Sequence, residues 1–166
     1  MASLKYGCLS PTAPKTTEYP VAASQYFYHN GINVVYLDGS GNVTLALTAT
    51  ATVLGIAVVP KGRGAGASDD YWLSSATAGA DKIPVIDALD GYEFLLPADD
   101  TVTAAMRGNA CDLIAANDGT ATKVDVGTSS TDIFHIIDLG TNRKGSDAVA
   151  TDVVVKFNIA KRQADT

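Results

Sequence analysis

Residues 34–47, VVYLDGSGNVTLAL, carry the clearest folding signal in the chain. The first four residues are apolar or aromatic and run into Asp38-Gly39-Ser40-Gly41, after which Val43, Leu45 and Leu47 alternate with Thr and Ala. Alternation with a period of two is typical of a β-strand, and an Asp-Gly pair between two such runs is typical of a hairpin turn. We therefore expect a β-hairpin with a glycine-rich loop.

Similar short apolar segments follow this hairpin. Residues 53–59, VLGIAVV, are apolar on both faces, which is typical of a central strand buried on both sides, and Pro60 is expected to end it. Residues 82–86 and 92–96 are predicted as strands on either side of an Asp90-Gly91 turn, with Pro97 ending the second. The strand pattern thus continues into the second half of the chain.

The second half contains the strongest hairpin signal. Asn117-Asp118-Gly119 lies between predicted strands at 113–115 and 122–126. Residues 26–28, 134–139 and 153–159 complete a set of about nine short strands with turns every ten or so residues. This spacing predicts a single all-β domain, a β-barrel or a jelly-roll-like β-sandwich.

The composition agrees with an all-β fold. Of the 18 acidic residues only Glu18 and Glu93 are Glu, and Gln occurs only at positions 25 and 163. Helix surfaces normally carry Glu, Lys and Gln, so their scarcity argues against a helical protein. A chain of 166 residues can bury roughly 70% of its surface on folding, so a core forms without metals or disulfides.

The termini are predicted to differ from the domain between them. Residues 1–20 contain Pro11, Pro14 and Pro20, which favour an extended arm over a helix. The arm is either a frayed terminus or an element that docks on a neighbouring subunit or partner. Residues 21–160 form the predicted β-rich domain, with a flexible glycine-rich loop at about 61–70, and residues 161–166 form a C-terminal tail. The candidate interface residues of the arm are Leu4, Tyr6, Leu9, Pro11, Pro14 and Tyr19.

The charge and the apolar pattern limit the expected partners. The formal net charge is −6, from 12 basic and 18 acidic residues, which argues against direct binding to nucleic acid. The first five residues contain no signal-peptide core, and the apolar run at 53–60 is too short to span a bilayer. We therefore expect a protein made in the cytoplasm, neither secreted nor bound to a membrane. Cys8 and Cys111 lack CxxC spacing and are expected to be reduced thiols.

No motif predicts catalysis or a cofactor. The glycine-rich loop does not match a phosphate-binding loop, and the Asp38 turn lacks the twelfth-position acid of a calcium loop, having Ala49 there. Cys111 and His135 could be a nucleophile and its base, but neither lies in a local catalytic signature. We therefore predict no enzyme activity, no cofactor and no metal site.

The only tryptophan offers a possible ligand site. Tyr71 and Trp72 follow Asp69 and Asp70, and carbohydrate-binding modules stack sugars on such rings beside acidic hydrogen-bond partners. The alternative is that the aromatic pair anchors the end of the glycine-rich loop in the core.

Several segments of the second half carry a resemblance to a known family. They are YEFLLP at 92–97, residues 101–106, Gly108, CDLI at 111–114, KVDV at 123–126 and VVVKFN at 153–158. In these segments the chain resembles small β-rich structural proteins of tailed bacteriophages, in particular head decoration or cement proteins. The resemblance covers roughly residues 85–160 and, less closely, the strands between 34 and 59.

The resemblance implies a role at the surface of the virion. Such a protein would bind the major capsid protein on the outside of an expanded head and bridge capsomers, as a homotrimer in preference to a dimer. The arm would then be the capsid-binding or neighbour-binding element. Two alternatives remain: another virion component, such as a tail, head-fibre or minor capsid protein, and a carbohydrate-binding β-sandwich module.

Overall fold

The computed structural model describes residues 7–9, 13–29, 31–60, 63, 71–140 and 149–163. Within them the chain forms thirteen strands and two single-turn 3-10 helices, at Ala104–Met106 and Ile159–Lys161. The strands are β1 Gly7–Cys8, β2 Thr17–Pro20, β3 Tyr26–Tyr28, β4 Asn33–Leu37, β5 Val43–Leu45, β6 Gly55–Ala57, β7 Tyr71–Leu73, β8 Lys82–Ile86, β9 Phe94–Thr103, β10 Ala110–Ile114, β11 Lys123–Asp125, β12 Phe134–Leu139 and β13 Val149–Phe157. The predicted all-β fold is confirmed.

The second half of the chain forms a closed five-stranded barrel. Its strands follow the order β9-β11-β10-β12-β13, and β13 pairs again with β9 to close the barrel. The pairs are antiparallel except for β11 with β9, which are parallel at Val124 and Ala98. Closure removes the exposed edges that an open sheet would present.

The first half forms a five-stranded sheet in the order β2-β8-β6-β4-β5. Its two edges approach each other where Val21 bridges Val43, and the amide of Ala22 donates to the Val43 carbonyl at 2.9 Å. A separate two-stranded sheet, β3 with β7, packs Phe27 and Trp72 into the same core as this sheet. The N-terminal half is therefore a second, nearly closed β-structure.

The buried side chains form two groups, and the larger one joins the two halves. The larger group fills the barrel and continues into one face of the five-stranded sheet through Ile32, Val34, Ile56 and Ile86. Its centre is aromatic, since Phe157 lies edge-on to two other phenylalanines at centroid distances of 5.4 and 4.9 Å. The smaller group lies on the other face of the sheet and consists of Val21, Phe27, Val35, Val43, Leu45, Leu54, Ala57, Trp72, Ile83 and Val85.

The predicted hairpins are confirmed where local turns specify them. The backbone amide of Asp38 closes the β4–β5 turn by donating a hydrogen bond to the Asn42 carbonyl at 2.9 Å. The Asp38 carboxylate accepts hydrogen bonds from the amides of Ser40 and Asn42. Strands β10 and β11 pair across the Asn117–Gly119 turn as predicted. The apolar segment at 53–59 provides β6, which is only three residues long but lies buried at the centre of its sheet.

Strands form at both predicted positions, as β8 and β9, but the end predicted for β9 is wrong and the two strands are not neighbours. The strands on either side of Asp90-Gly91 do not pair with each other, because β8 belongs to the five-stranded sheet and β9 to the barrel. Pro97 does not end β9, which continues to Thr103. Next to Pro97 the pairing with β13 shifts register. Asp152 pairs with Pro97 and Ala150 with Val102, so the extra residues lie in β9, and such an irregularity accommodates a residue that has no amide proton to donate.

The described part of the predicted C-terminal tail, residues 161–163, is fixed to the body. The amide of Gln163 donates to the Val53 carbonyl at 2.7 Å. Its side chain bonds both backbone groups of Leu37, accepting from the amide at 2.6 Å and donating to the carbonyl at 3.1 Å. The C-terminal residues therefore protect the free edge at the end of β4.

Candidate interaction site

The described residues of the predicted arm, 7–9 and 13–20, lie across both halves of the molecule, and we call them the N-terminal segment. Gly7 and Cys8 form β1 and pair antiparallel with the first two residues of β9. The amide of Leu9 also donates to the carbonyl of Glu93 at 2.8 Å. Backbone pairing at the start of β9 thus attaches the beginning of the segment to the barrel.

The end of the segment is attached more extensively, to the other half of the molecule. Four residues of β2 pair antiparallel with β8, at the edge of the five-stranded sheet. The Tyr19 hydroxyl donates to the Asp87 carboxylate at 2.9 Å. Burial alone would raise the pKa of Asp87, but hydrogen bonds from Thr17 and Tyr19 bring the pKa below its ordinary value. The ionised carboxylate therefore anchors β2.

A groove of about 300 Å³ lies between the segment and the body. Gly7, Cys8 and Pro14 line it on the side of the segment. The body contributes mainly apolar residues with a few polar ones, among them Tyr28, His29, Ile32, Val59, Ile86 and Phe94. The segment therefore packs incompletely on the surface that it crosses.

The predicted interface residues are partly accounted for by this arrangement. Leu9, Pro14 and Tyr19 are each half-buried against the chain's own body, whereas Leu4, Tyr6 and Pro11 lie outside the described residues. The described part of the arm is thus integrated into the sheets of the domain at 21–160, because an extended segment satisfies its amides by pairing with strand edges. Contact of these residues with another molecule stays a prediction.

Tyr71 and Trp72 are brought together with other rings instead of forming an open platform. Trp72 is only 6% exposed, stacks on Phe27 at 5.4 Å between centroids, and has the Arg63 guanidinium 4.7 Å from its ring centroid. Tyr71 lies edge-on to Tyr26 at 5.0 Å. Stacking of a sugar requires an exposed ring face, so the geometry favours the core anchor over the carbohydrate site.

One residue of the predicted glycine-rich loop is described, and it is bound to the body. Arg63 donates from its guanidinium to the Lys82 carbonyl and also covers the Trp72 ring. The other residues at 61–70, including Asp69 and Asp70, lie outside the described residues.

Cys111 and His135 lie on neighbouring strands but are not arranged for nucleophilic chemistry. Cys111 is opposite Phe134, and His135 is opposite Ala110, so the two side chains point to different faces of the barrel wall. Burial, reinforced by the nearby Asp112 carboxylate, raises the pKa of the Cys111 thiol to about 12. The thiol therefore stays protonated, and both cysteines of the chain are free.

One highly connected polar residue, Asp112, was not singled out by the sequence. Asp112 is buried on β10, and one carboxylate oxygen accepts the amides of Thr131 and Asp132, each at 2.8 Å. The other oxygen accepts the Ser130 amide at 2.8 Å, the Ser130 hydroxyl at 2.6 Å and the Thr128 hydroxyl at 3.3 Å. Burial alone would raise the pKa of Asp112, but these donors hold the pKa well below its usual range.

This arrangement gives Asp112 a structural role. All of its partners belong to the loop at 128–132, where Asp132 has a left-handed backbone with φ of +53°. The signal in the sequence is a lone acid in the otherwise apolar strand ACDLI, followed by the donor-rich loop TSSTD at 128–132. Both carboxylate oxygens are occupied by the loop, so Asp112 is not available as an acid or base.

The function has to be inferred from the geometry of the site. Among the described residues, no three His, Cys, Asp or Glu side chains come together as a metal site. No helix in the described ranges is long and apolar enough to cross a membrane. No protein-family model matches the chain, and a search of curated proteins finds no match. The N-terminal segment and its groove are therefore the features on which a function can be proposed.

Proposed function

We propose that the protein is a structural component of a phage virion that decorates the outside of the head and bridges neighbouring capsomers. The observation that carries the proposal is the attachment of the N-terminal segment, which is held at two separate strand edges by backbone pairing. Strand addition supplies affinity through main-chain hydrogen bonds and needs no special side-chain pocket. The same segment can therefore serve as a connector to a sheet edge of the major capsid protein.

A protein that bridges capsomers must stay folded under force, and the body of this chain suits that requirement. Its barrel is closed, and the buried Asp112 carboxylate fixes a loop. Because each strand-addition contact is weak, we propose that the protein acts as a homotrimer, in which several segments bind together and raise the effective concentration of the others. The negative charge of −6 favours a protein partner over the packaged nucleic acid.

Co-sedimentation with expanded heads of the phage that encodes the chain tests the proposal. The variant is a truncation that removes residues 1–9, which deletes β1 and leaves β2 in place. The described core begins at Val21, so the truncated chain should fold, and its thermal melt is the check. We expect the full chain to sediment with the heads and the truncation to lose at least tenfold in affinity.

The matched control is Asp118→Asn, a change in an exposed turn of the body that should bind like the unmodified chain. Equal binding by the truncation and the full chain would refute the role of the segment. A full chain that ignores the heads would refute decoration itself.

A further inference from the structure

We propose that β1 exchanges between copies of this chain, so that Gly7 and Cys8 of one copy pair with the start of β9 of another. The exchange concerns self-association of the purified protein and does not depend on a capsid partner. It would turn the N-terminal segment into the link that holds a homo-oligomer together.

The first reason is that β1 is weakly attached in its own chain. Only two residues of β1 pair with β9, and the Leu9 amide donates one further hydrogen bond, to the Glu93 carbonyl. Residues 7–9 are half-buried, and Cys8 packs against the edge of the larger core group without being fully buried in it. The groove of about 300 Å³ beside β1 leaves part of this surface unfilled. Release of β1 therefore disturbs few contacts.

The second reason is that the vacated edge needs a strand. On this flank of β9, β11 pairs only at Ala98, so it does not cover Phe94 and Leu95. Without β1, the backbone groups at the start of β9 would be an unpaired edge, which invites pairing with another chain. A β1 strand from a second copy fits with the same register and the same hydrogen bonds, because the sequence is identical.

The third reason is the length of the connection. Residues 9–16 join β1 to β2 and span up to about 26 Å when extended, compared with a radius of gyration near 15 Å for a domain of this size. Pro11 and Pro14 lie within this connection and favour an extended backbone. The four paired residues of β2 and its Tyr19–Asp87 bond keep the rest of the segment on its own chain. β1 can therefore move to a second copy while β2 stays on its own chain.

A disulfide trap reports directly which chain supplies β1. The test pair is Leu9→Cys with Glu93→Cys, since the Leu9 amide already bonds the Glu93 carbonyl, and Cys8→Ser removes the competing thiol. The matched control pair is Glu18→Cys with Pro84→Cys, which are direct partners on β2 and β8. Isotopically heavy and light copies are refolded together, oxidised with glutathione disulfide, alkylated and digested, and the linked peptides are identified by mass spectrometry.

Exchange predicts linked peptides with one heavy and one light half at the β1–β9 pair, and only matched halves at the β2–β8 pair. A complete absence of mixed heavy–light links at the β1–β9 pair would overturn the proposal. The unmodified chain gives a second test that needs no substitution: light scattering should show oligomers that increase with protein concentration and disappear when residues 1–9 are removed. A monomer at every concentration would overturn exchange while leaving decoration to the sedimentation test.

Discussion

Removal of the charge at Asp112 should destabilise the barrel strongly. In Asp112→Asn the new amide group is best placed towards Ser130 and Thr128, whose hydroxyls can turn and accept from it. The Ser130 amide then loses its acceptor, which costs about 1–3 kcal/mol for a buried donor. The amides of Thr131 and Asp132 keep an oxygen as their acceptor, but that oxygen is no longer charged. The weakening of each of these two hydrogen bonds costs about 1 kcal/mol or somewhat less. We expect a total loss near 3 kcal/mol.

Calorimetry and urea unfolding at pH 7 measure this loss. For a chain of this size, 3 kcal/mol corresponds to a fall in Tm of about 6–12 °C. Asp118→Asn is the control, because Asp118 accepts its hydrogen bonds from Thr120 within an exposed turn, and its Tm should not change measurably. A stability of Asp112→Asn within about 0.5 kcal/mol of the unmodified chain would refute the assignment of Asp112 as the anchor of its loop.

The pH dependence provides an independent test of the same carboxylate. The pKa of Asp112 is lower in the folded chain than its ordinary value of 3.8, so its stabilisation is complete above that value and is lost as the pH falls towards the folded pKa. The unmodified chain should therefore lose more stability between pH 6 and pH 3 than Asp112→Asn does. Parallel pH profiles for the two proteins would contradict this explanation.

Three further predictions follow from local geometry. In the native protein a thiol reagent at pH 8 should modify half-buried Cys8 and leave Cys111 unreacted until denaturant is added; equal rates would contradict the burial of Cys111. Gly55→Ala should lower the free energy of unfolding by about 3 kcal/mol or more, or prevent folding, because a Cβ there would lie 2.1 Å from a backbone carbonyl oxygen of β8. Gly39→Ala is the control, because a Cβ at that position has open space, and its urea midpoint should be unchanged. Gln163→Ala should lower the free energy of unfolding by about 1–2 kcal/mol by removing both bonds to β4, and an unchanged urea midpoint would show that the C-terminal residues do not stabilise that edge.

The sequence predicts best what neighbouring residues determine. The turns at Asp38-Gly39 and Asn117–Gly119 are specified by residues within the turn, and both hairpins form as predicted. The pairing of β8 with β2 and β6, and of β9 with β1, β11 and β13, depends on segments far away in the chain. The turn at Asp90-Gly91 resembles a hairpin signal but connects two different sheets, and a local pattern does not distinguish the two cases.

The candidate site was predicted in part for the same reason. The prolines indicated an extended segment, and the pairing of β2 confirms that conformation over Thr17–Pro20. Which edges it would join could not be read from the sequence, because backbone pairing uses groups that every residue carries. Asp112 was missed because its partners lie 16–20 residues away in a loop whose shape forms only with the fold.

The two attachments of the N-terminal segment respond differently to conditions, which determines where exchange can occur. The pKa of Asp87 lies below 3.8 when β2 is bound, so its contribution is complete above that value and is lost only as the pH falls through the folded pKa. At neutral pH, β2 therefore keeps its anchor through Tyr19, while β1 is held by backbone bonds to the start of β9 and by packing of Cys8 on the core. Acidification should loosen β2 as well. When heavy and light copies are held together at pH 3 and then returned to pH 8 for oxidation, the control disulfide pair on β2 and β8 should therefore begin to link different chains. If that pair still links only its own chain while the protein remains folded at pH 3, the Asp87 anchor does not keep β2 on its own chain.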